Sequence, residues 1–254
     1  MRRAFLVAAI LLTACSGSSA SVAAPTPSSA TTTATGSPTL TPTSTPSTTP
    51  SPSSEPVHLP KGTPGSYRPD DEPGDVPAAS LVPADATVTG TWFADARGGQ
   101  TILVAFQRGS DPFASEHALL AWRRFGDVPH WRPVIAVDAP PSAGVLGITV
   151  TLGDATGDRS TDALAFESMG GSGACGTWRL LDLASATDVW DLESACDTTV
   201  AFTKEPVGLK TTEAVFKAGD SHCCPSKYRI SQLEFEGTTM AVTSRTTKTS
   251  PIAP

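Results

Sequence analysis

The chain has 254 residues, a net charge of −7 and only 6% aromatic residues. A net acidic chain repels phosphate backbones and anionic lipid headgroups, so the composition argues against nucleic acid as a partner. It also means that a membrane must be reached by something other than surface charge.

The N-terminus reads MRRAFLVAAILLTACSG, with Arg2 and Arg3 ahead of a short apolar run. Its residues 12–15, Leu-Thr-Ala-Cys, resemble a bacterial lipobox. This resemblance implies a signal peptide over residues 1–14 and a diacylglycerol on the sulfur of Cys15. The mature protein is then expected on the outer, extracytoplasmic face of the cell membrane, with the membrane itself as a partner through the lipid.

Two alternatives remain open at the N-terminus. The segment also fits an ordinary secretory peptide with an incidental cysteine, and the Arg2–Arg3 pair also resembles a twin-arginine export motif. The apolar run is shorter than the roughly 20 residues that a membrane-spanning helix needs.

Residues 15–85 are predicted to form a disordered stalk after the lipidated Cys15. From Ser16 to Pro60 the chain is almost entirely Ser, Thr, Pro, Ala and Gly. Such a segment has too little apolar surface to offset its ordering entropy, and its prolines favour extended polyproline II. Residues 61–85, which include RPDDEPGDVP, read as a polar continuation.

Residues 86–246 are predicted to form an all-β domain, followed by a flexible tail over 247–254. Apolar and polar residues alternate there in short runs separated by Gly, Pro, Asp and Ser, which is the period of strands. The predicted strands include ATVTGTWF, TILVAF, HALLAWRR, WRPVIAV, VLGITVTL, DALAFES, TWRLLDL, DVWDL, TEAVF, YRISQLEF and MAVTS.

A threefold repeat organises these strands. A strand ending in a phenylalanine is followed by an aromatic–Arg pair in each of three units, and the pairs are Trp122–Arg123, Trp178–Arg179 and Tyr228–Arg229. The spacing of about 50 to 60 residues predicts three antiparallel meanders of about four strands each. Chance similarity among strand-rich segments is the alternative.

The stretch DATGDRSTDALAFE, from Asp154, carries the strongest family signal. It resembles the calcium-binding loop of FG-GAP or VCBS repeats, the blade units of integrin-alpha-type propellers. The resemblance implies a propeller-like fold, with a β-trefoil-like or sandwich arrangement as alternatives. It also implies Ca²⁺ as a possible ligand, bound by side-chain oxygens of Asp154, Thr156, Asp158 and Asp162 and by the backbone carbonyl of Ser160.

Two residues depart from that pattern. Thr156 is a weaker ligand than Asn or Asp, and Arg159 stands where the family usually has Gly, a position expected to require a positive φ. The competing interpretation is an Asx-rich turn held by side-chain to backbone hydrogen bonds, with no metal.

Four cysteines lie in the predicted domain, namely Cys175, Cys196, Cys223 and Cys224. In an exported protein they are expected to form disulfides. A hairpin turning near residues 185–186 would place Cys175 opposite Cys196 and leave a vicinal pair. The alternative joins both of the adjacent cysteines to Cys175 and Cys196, across two units.

The sequence around the adjacent cysteines, GDSHCCPS from Gly219, resembles a signature of uncharacterised actinobacterial lipoproteins. The resemblance brings no assigned activity. A soft-metal or redox site at His222 is the alternative to a structural role, but a Cys-Cys pair is not the Cys-x-x-Cys of thiol oxidoreductases.

No catalytic motif stands out, so the expected function is a non-enzymatic binding or structural module of the cell envelope. Loops 107–117, 167–176 and 217–227 hold equivalent positions in the repeat and are predicted to bind an envelope protein or glycan along one edge. The alternative is a secreted hydrolase whose carboxylates lie in an unrecognised arrangement.

Overall fold

The computed structural model describes residues 57–68, 75–111, 113–125, 130–171, 174–221 and 224–249. Cys15, the predicted signal peptide and most of the predicted stalk lie outside these residues, as do His222 and Cys223. The long elements of the described chain are all β-strands, and its helical elements are two short 3₁₀ turns, Ala78–Leu81 and Pro141–Ala143. None of the described helices is long and apolar enough to cross a membrane. The all-β prediction is confirmed.

The strands form three separate four-stranded sheets, each built from four consecutive strands that pair antiparallel in chain order. The first sheet contains β1 (Thr87–Ala96), β2 (Gly99–Arg108), β3 (Glu116–Phe125) and β4 (His130–Ala139). The second contains β5 (Gly147–Gly153), β6 (Asp162–Gly170), β7 (Cys175–Asp182) and β8 (Thr187–Ala195). The third contains β9 (Thr198–Lys204), β10 (Val207–Val215), β11 (Lys227–Glu236) and β12 (Thr239–Thr249). The prediction of three repeated meanders is therefore confirmed.

The central strands of the first sheet are buried on both faces. Their sequences, ILVAF from Ile102 and ALLAW from Ala118, are continuous apolar runs and are fully buried. Leu103 and Leu119 point to one face, where they pack with Ile148 of the second sheet. A run with no polar alternation is typical of a strand that needs a cover on each side.

The second cover is the chain that precedes β1, and here the predicted boundary at residue 86 is wrong. Leu81 and Val82 are buried against Phe106 and Trp122 on the far face of the first sheet. The backbone of Tyr67 also pairs with Trp131 of β4 through hydrogen bonds of 2.9 and 2.7 Å. These residues belong to the folded region because they remove the outer face of the first sheet from water.

The second sheet lies between the other two. One of its faces packs on the first sheet through Ala163 and Leu181, and the opposite face packs on the third sheet through Leu164 and Leu180. Gly153 allows a close approach at the second of these interfaces, because a Cβ there would lie 2.6 Å from the ring of Phe202.

The third sheet has one buried face. Leu209 and Leu233 pack towards the second sheet, and intervening residues such as Lys210 alternate to the other face. β9 was not among the predicted strands. β12 continues to Thr249, which pairs with Lys227 of β11. The predicted flexible tail, which starts at residue 247, therefore begins too early.

The aromatic–Arg pairs share a strand position but not an environment. Each lies on the third strand of its sheet. Trp122 faces the N-terminal segment, Trp178 stacks on Phe166 at the interface with the third sheet, and Tyr228 is half-buried in the third sheet. The repeat is therefore one of strand topology, and it does not reproduce a single packing motif.

Candidate functional site

The first turns of the three sheets lie at a common end, which we call the hairpin end. The backbone N–H of Arg97, in the β1–β2 turn, donates to Ser160 Oγ of the β5–β6 loop at 2.9 Å. Asp154 in that loop shares a cleft of about 290 Å³ with Lys204 and Val207 of the β9–β10 turn. The three sheets are therefore stacked with the same end together.

The predicted calcium-binding loop, residues 154–162, lies at the hairpin end. Asp154 accepts hydrogen bonds from the backbone N–H groups of Gly157 at 2.7 Å and Arg159 at 3.1 Å. Asp158 Oδ1 accepts from Ser160 N–H at 2.7 Å and from Thr156 Oγ1 at 3.3 Å. The hydrogen bonds of the predicted Asx turn are thus present.

Asp162 is the most constrained carboxylate of the loop. Its side chain is fully buried, and Oδ2 accepts from the N–H groups of Ala155 at 2.8 Å and Thr156 at 3.0 Å. Oδ1 has no hydrogen-bond partner. Burial raises the pKa of Asp162 to about 6, against the opposing backbone hydrogen bonds, and the nearby charge of Asp182 adds to the rise.

Arg159 adopts the predicted left-handed conformation, with φ at 66°. Another arginine approaches the carboxylates, since Arg97 Nη2 donates to the backbone O of Asp158 at 2.5 Å. Its Nη1 lies 3.7 Å from Asp158 Oδ2. Because this guanidinium comes from the first sheet, the loop also ties the first sheet to the second.

The fit of this loop to Ca²⁺ rests on one atom. Ca²⁺ takes six to eight oxygen ligands, and an orphaned buried carboxylate oxygen, Asp162 Oδ1, is the kind of group that a cation would satisfy. Within the described residues, however, no three His, Cys, Asp or Glu side chains already converge on a common point. The donor set suits Ca²⁺, and the loop would have to draw its other carboxylates together to complete a site.

The end opposite the hairpin end is called the loop end here. It carries the described parts of the connections between the second and third strands of each sheet, because strand direction alternates within each meander. These parts are residues 109–111 and 113–115, residues 171 and 174, and residues 216–221 and 224–226. Phe113 on the first of these is 75% exposed. Leu146, from the connection between the first two sheets, is also exposed and contacts Gly170.

The predicted binding loops include residues that are buried. His117 and Ser115 are buried, and burial lowers the pKa of the His117 imidazole, so neither is available at a surface. Glu167 is also buried and pairs with Arg179 at 2.6 Å inside the second sheet. These residues belong to strands or strand ends.

A disulfide joins Cys175 to Cys196 at the loop end. The hairpin pairing predicted from a turn near residues 185–186 is confirmed, because the two residues flank the Gly176–Ala195 pair of β7 and β8. The predicted cross-unit pairings of Cys175 and Cys196 with the adjacent cysteines are wrong for the same reason.

A cleft of about 350 Å³ separates the second sheet from the third. Its walls include the ends of β8 and β9 at Ala195, Cys196 and Thr198, which places it next to the loop end. Arg229 and Glu213, cross-strand neighbours on the wall that the third sheet contributes, pair at 2.8 Å. No sequence pattern indicates this cleft, because its walls come from different sheets.

Each of the two clefts has a single carboxylate among its lining residues, Glu213 in one and Asp154 in the other. A hydrolase of the kind considered above needs two facing carboxylates.

Comparison of the chain with protein-family models, curated proteins and solved structures gave no match.

Proposed function

We propose that this protein is a lipid-anchored, extracytoplasmic lipoprotein that acts as a non-enzymatic binding module of the cell envelope, with the loop end as its binding surface. The observation that carries the proposal is the stacking of three sheets in one orientation, which gathers three loops and an adjacent cleft at one end. Loops held on a rigid scaffold are where binding residues concentrate.

The loop end also has the chemistry of a recognition surface. Phe113 and Leu146 expose apolar area there, and the Arg229–Glu213 pair borders the neighbouring cleft. Exposed aromatic and apolar groups among polar ones are typical of sites that bind a protein or a glycan.

The sheet arrangement is propeller-like in this proposal. Three meanders stacked face to face, with their first turns together, resemble consecutive blades. Propellers typically close with four to eight blades, so a three-bladed stack is better described as an open array. The N-terminal segment then caps the first blade through Leu81 and Val82.

A single Ca²⁺ ion at residues 154–162 belongs to the same proposal. Asp162 Oδ1 would be its most buried ligand, with Asp154, Asp158, Thr156 and the carbonyl of Ser160 around it. The ion would stabilise the hairpin end, away from the proposed binding surface.

The binding surface can be tested with two matched double variants. Phe113→Ala with Leu146→Ala alters the loop end, and Phe93→Ala with Val207→Ala removes similar exposed apolar groups elsewhere. Capture of components from an envelope extract is expected to fall for the first variant and to persist for the second, with both still folded. Equal capture by the two variants would contradict the proposal.

The anchor is tested separately. Cys15→Ser removes the sulfur that would carry the lipid and is expected to move the protein from the membrane fraction to the soluble fraction. Retention in the membrane fraction would contradict lipidation at this residue.

A further inference from the structure

The wall that the third sheet contributes to the cleft changes in polarity along its length. Cross-strand pairs form successive rungs, and each rung is more polar than the one before it. From the core outward the rungs are Leu233–Val242, Ser231–Arg245 and Arg229–Glu213.

The facing wall, from β8, is largely apolar. Trp190 and Leu192 line it and remain partly exposed. Val242 on the opposite wall is 48% exposed, although it sits beside the core residue Leu233. The inner part of the cleft therefore presents apolar surface to water, and an apolar group of a ligand would gain free energy by covering it.

The two arginines at the outer part of the cleft differ in whether a carboxylate neutralises them. Glu213 Oε2 accepts from Arg229 Nη1 at 2.8 Å, so these two groups neutralise each other. Arg245 Nε donates only to a hydroxyl, Ser231 Oγ, at 3.3 Å. Across the part of the chain that the structure describes, no carboxylate lies within ion-pair distance of Arg245. The cleft thus holds one uncompensated guanidinium in a protein of net charge −7.

We propose that this cleft binds a small amphiphilic carboxylate, with its apolar tail between Trp190 and Val242 and its carboxylate on Arg245. A guanidinium matches a carboxylate in a bidentate geometry, and the order of the rungs fixes which end of the ligand points inward. This inference rests on the proposed binding function, and it names the ligand class of the cleft next to the loop end.

Octanoate is a suitable probe, and octanol, which has the same tail without the charge, is its control. Binding to the full chain is measured by titration calorimetry. We expect octanoate to bind with one-to-one stoichiometry and more tightly than octanol, and we expect the affinity to fall as salt is added, because Arg245 is exposed.

Two charge-neutralising variants on the same strand separate a site from general attraction. Arg245→Gln is expected to weaken octanoate binding about tenfold, which corresponds to about 1.4 kcal/mol. Lys248→Gln makes the same charge change on the opposite face of β12, where Lys248 pairs with Tyr228, and is expected to leave binding unchanged. Val242→Ser, at an exposed position, is expected to weaken octanoate and octanol alike.

Equal loss in Arg245→Gln and Lys248→Gln, equal affinity for octanoate and octanol, or no binding of octanoate would overturn the proposal. These results leave the capture experiment with Phe113 and Leu146 untouched, so failure of the cleft inference is distinguishable from failure of the proposed function.

Discussion

The buried carboxylate of Asp162 makes a specific prediction about pH and stability. Its ordinary pKa is 3.8, and burial raises the folded-state pKa to about 6. The folded protein therefore holds this proton more tightly than the unfolded chain does. The stabilisation is fully present below about pH 4 and is lost as the pH rises through about 6. The shift corresponds to about 3 kcal/mol.

Asp162→Asn removes this titration and keeps an oxygen for the N–H groups of Ala155 and Thr156. With EDTA present, the free energy of unfolding of the wild type is expected to fall by about 2.4 kcal/mol, relative to the variant, between pH 4 and pH 7. Taking the difference between the two proteins cancels the other titrating groups, including Asp188, whose pKa is also raised by burial.

Millimolar Ca²⁺ should then distinguish the two proteins at neutral pH. If Asp162 Oδ1 is a ligand, Ca²⁺ stabilises the wild type, as a ligand that binds only the folded state does, and reduces its loss of stability with pH. Asp162→Asn should gain little. Urea unfolding followed by tryptophan fluorescence measures each value. Glu236→Gln, at the exposed end of β11, is the control.

Parallel stability profiles for the wild type and Asp162→Asn in EDTA would refute the reasoning about burial. An equal effect of Ca²⁺ on both proteins would refute the calcium site alone.

Three further changes have expected outcomes. Replacing Cys175 and Cys196 by Ser opens a loop with a sequence separation of 21 and should lower the free energy of unfolding in urea by about 3 kcal/mol. Gly208→Ala places a Cβ against the backbone O of Leu233 at a φ of 152°, so thermal unfolding should show a loss of at least about 2 kcal/mol. Arg159→Gly relieves a positive φ, so the free energy of unfolding should rise by up to about 1 kcal/mol and the melting temperature should rise with it. A lower melting temperature would contradict this.

The sheet architecture was predictable because period-two alternation and turn residues are local signals. The β7–β8 hairpin is an example, and its predicted turn made Cys175–Cys196 one of the two pairings left open, which is the pairing that the structure has. The positive φ of Arg159 was predictable from the loop's resemblance to FG-GAP or VCBS repeats, which usually have Gly at this position.

The N-terminal cover was missed because residues 75–85 follow no period. Leu81 ends a short 3₁₀ turn and Val82 follows it, and only the far face of the first sheet explains their burial. The continuous apolar run at 102–106 was the available signal, since a strand without alternation needs a cover on both faces.

The aromatic–Arg pairs differ in environment for a geometric reason. Successive strand residues point to opposite faces of a sheet. When the first two sheets are compared, a shift of one residue along the third strand is enough to place Trp122 and Trp178 on opposite faces. The cleft at Arg245 could not be predicted from the sequence because it forms where two sheets pack together, and their packing leaves no local signal in either sheet.

Amide hydrogen exchange of the full-length protein, with and without envelope extract, tests the location of the binding surface most directly. The account predicts new protection at the loop end, in residues 109–111, 113–115, 216–221 and 224–226, with unchanged exchange in residues 154–161 at the hairpin end. Protection confined to the hairpin end, or no protection at either end, would contradict it.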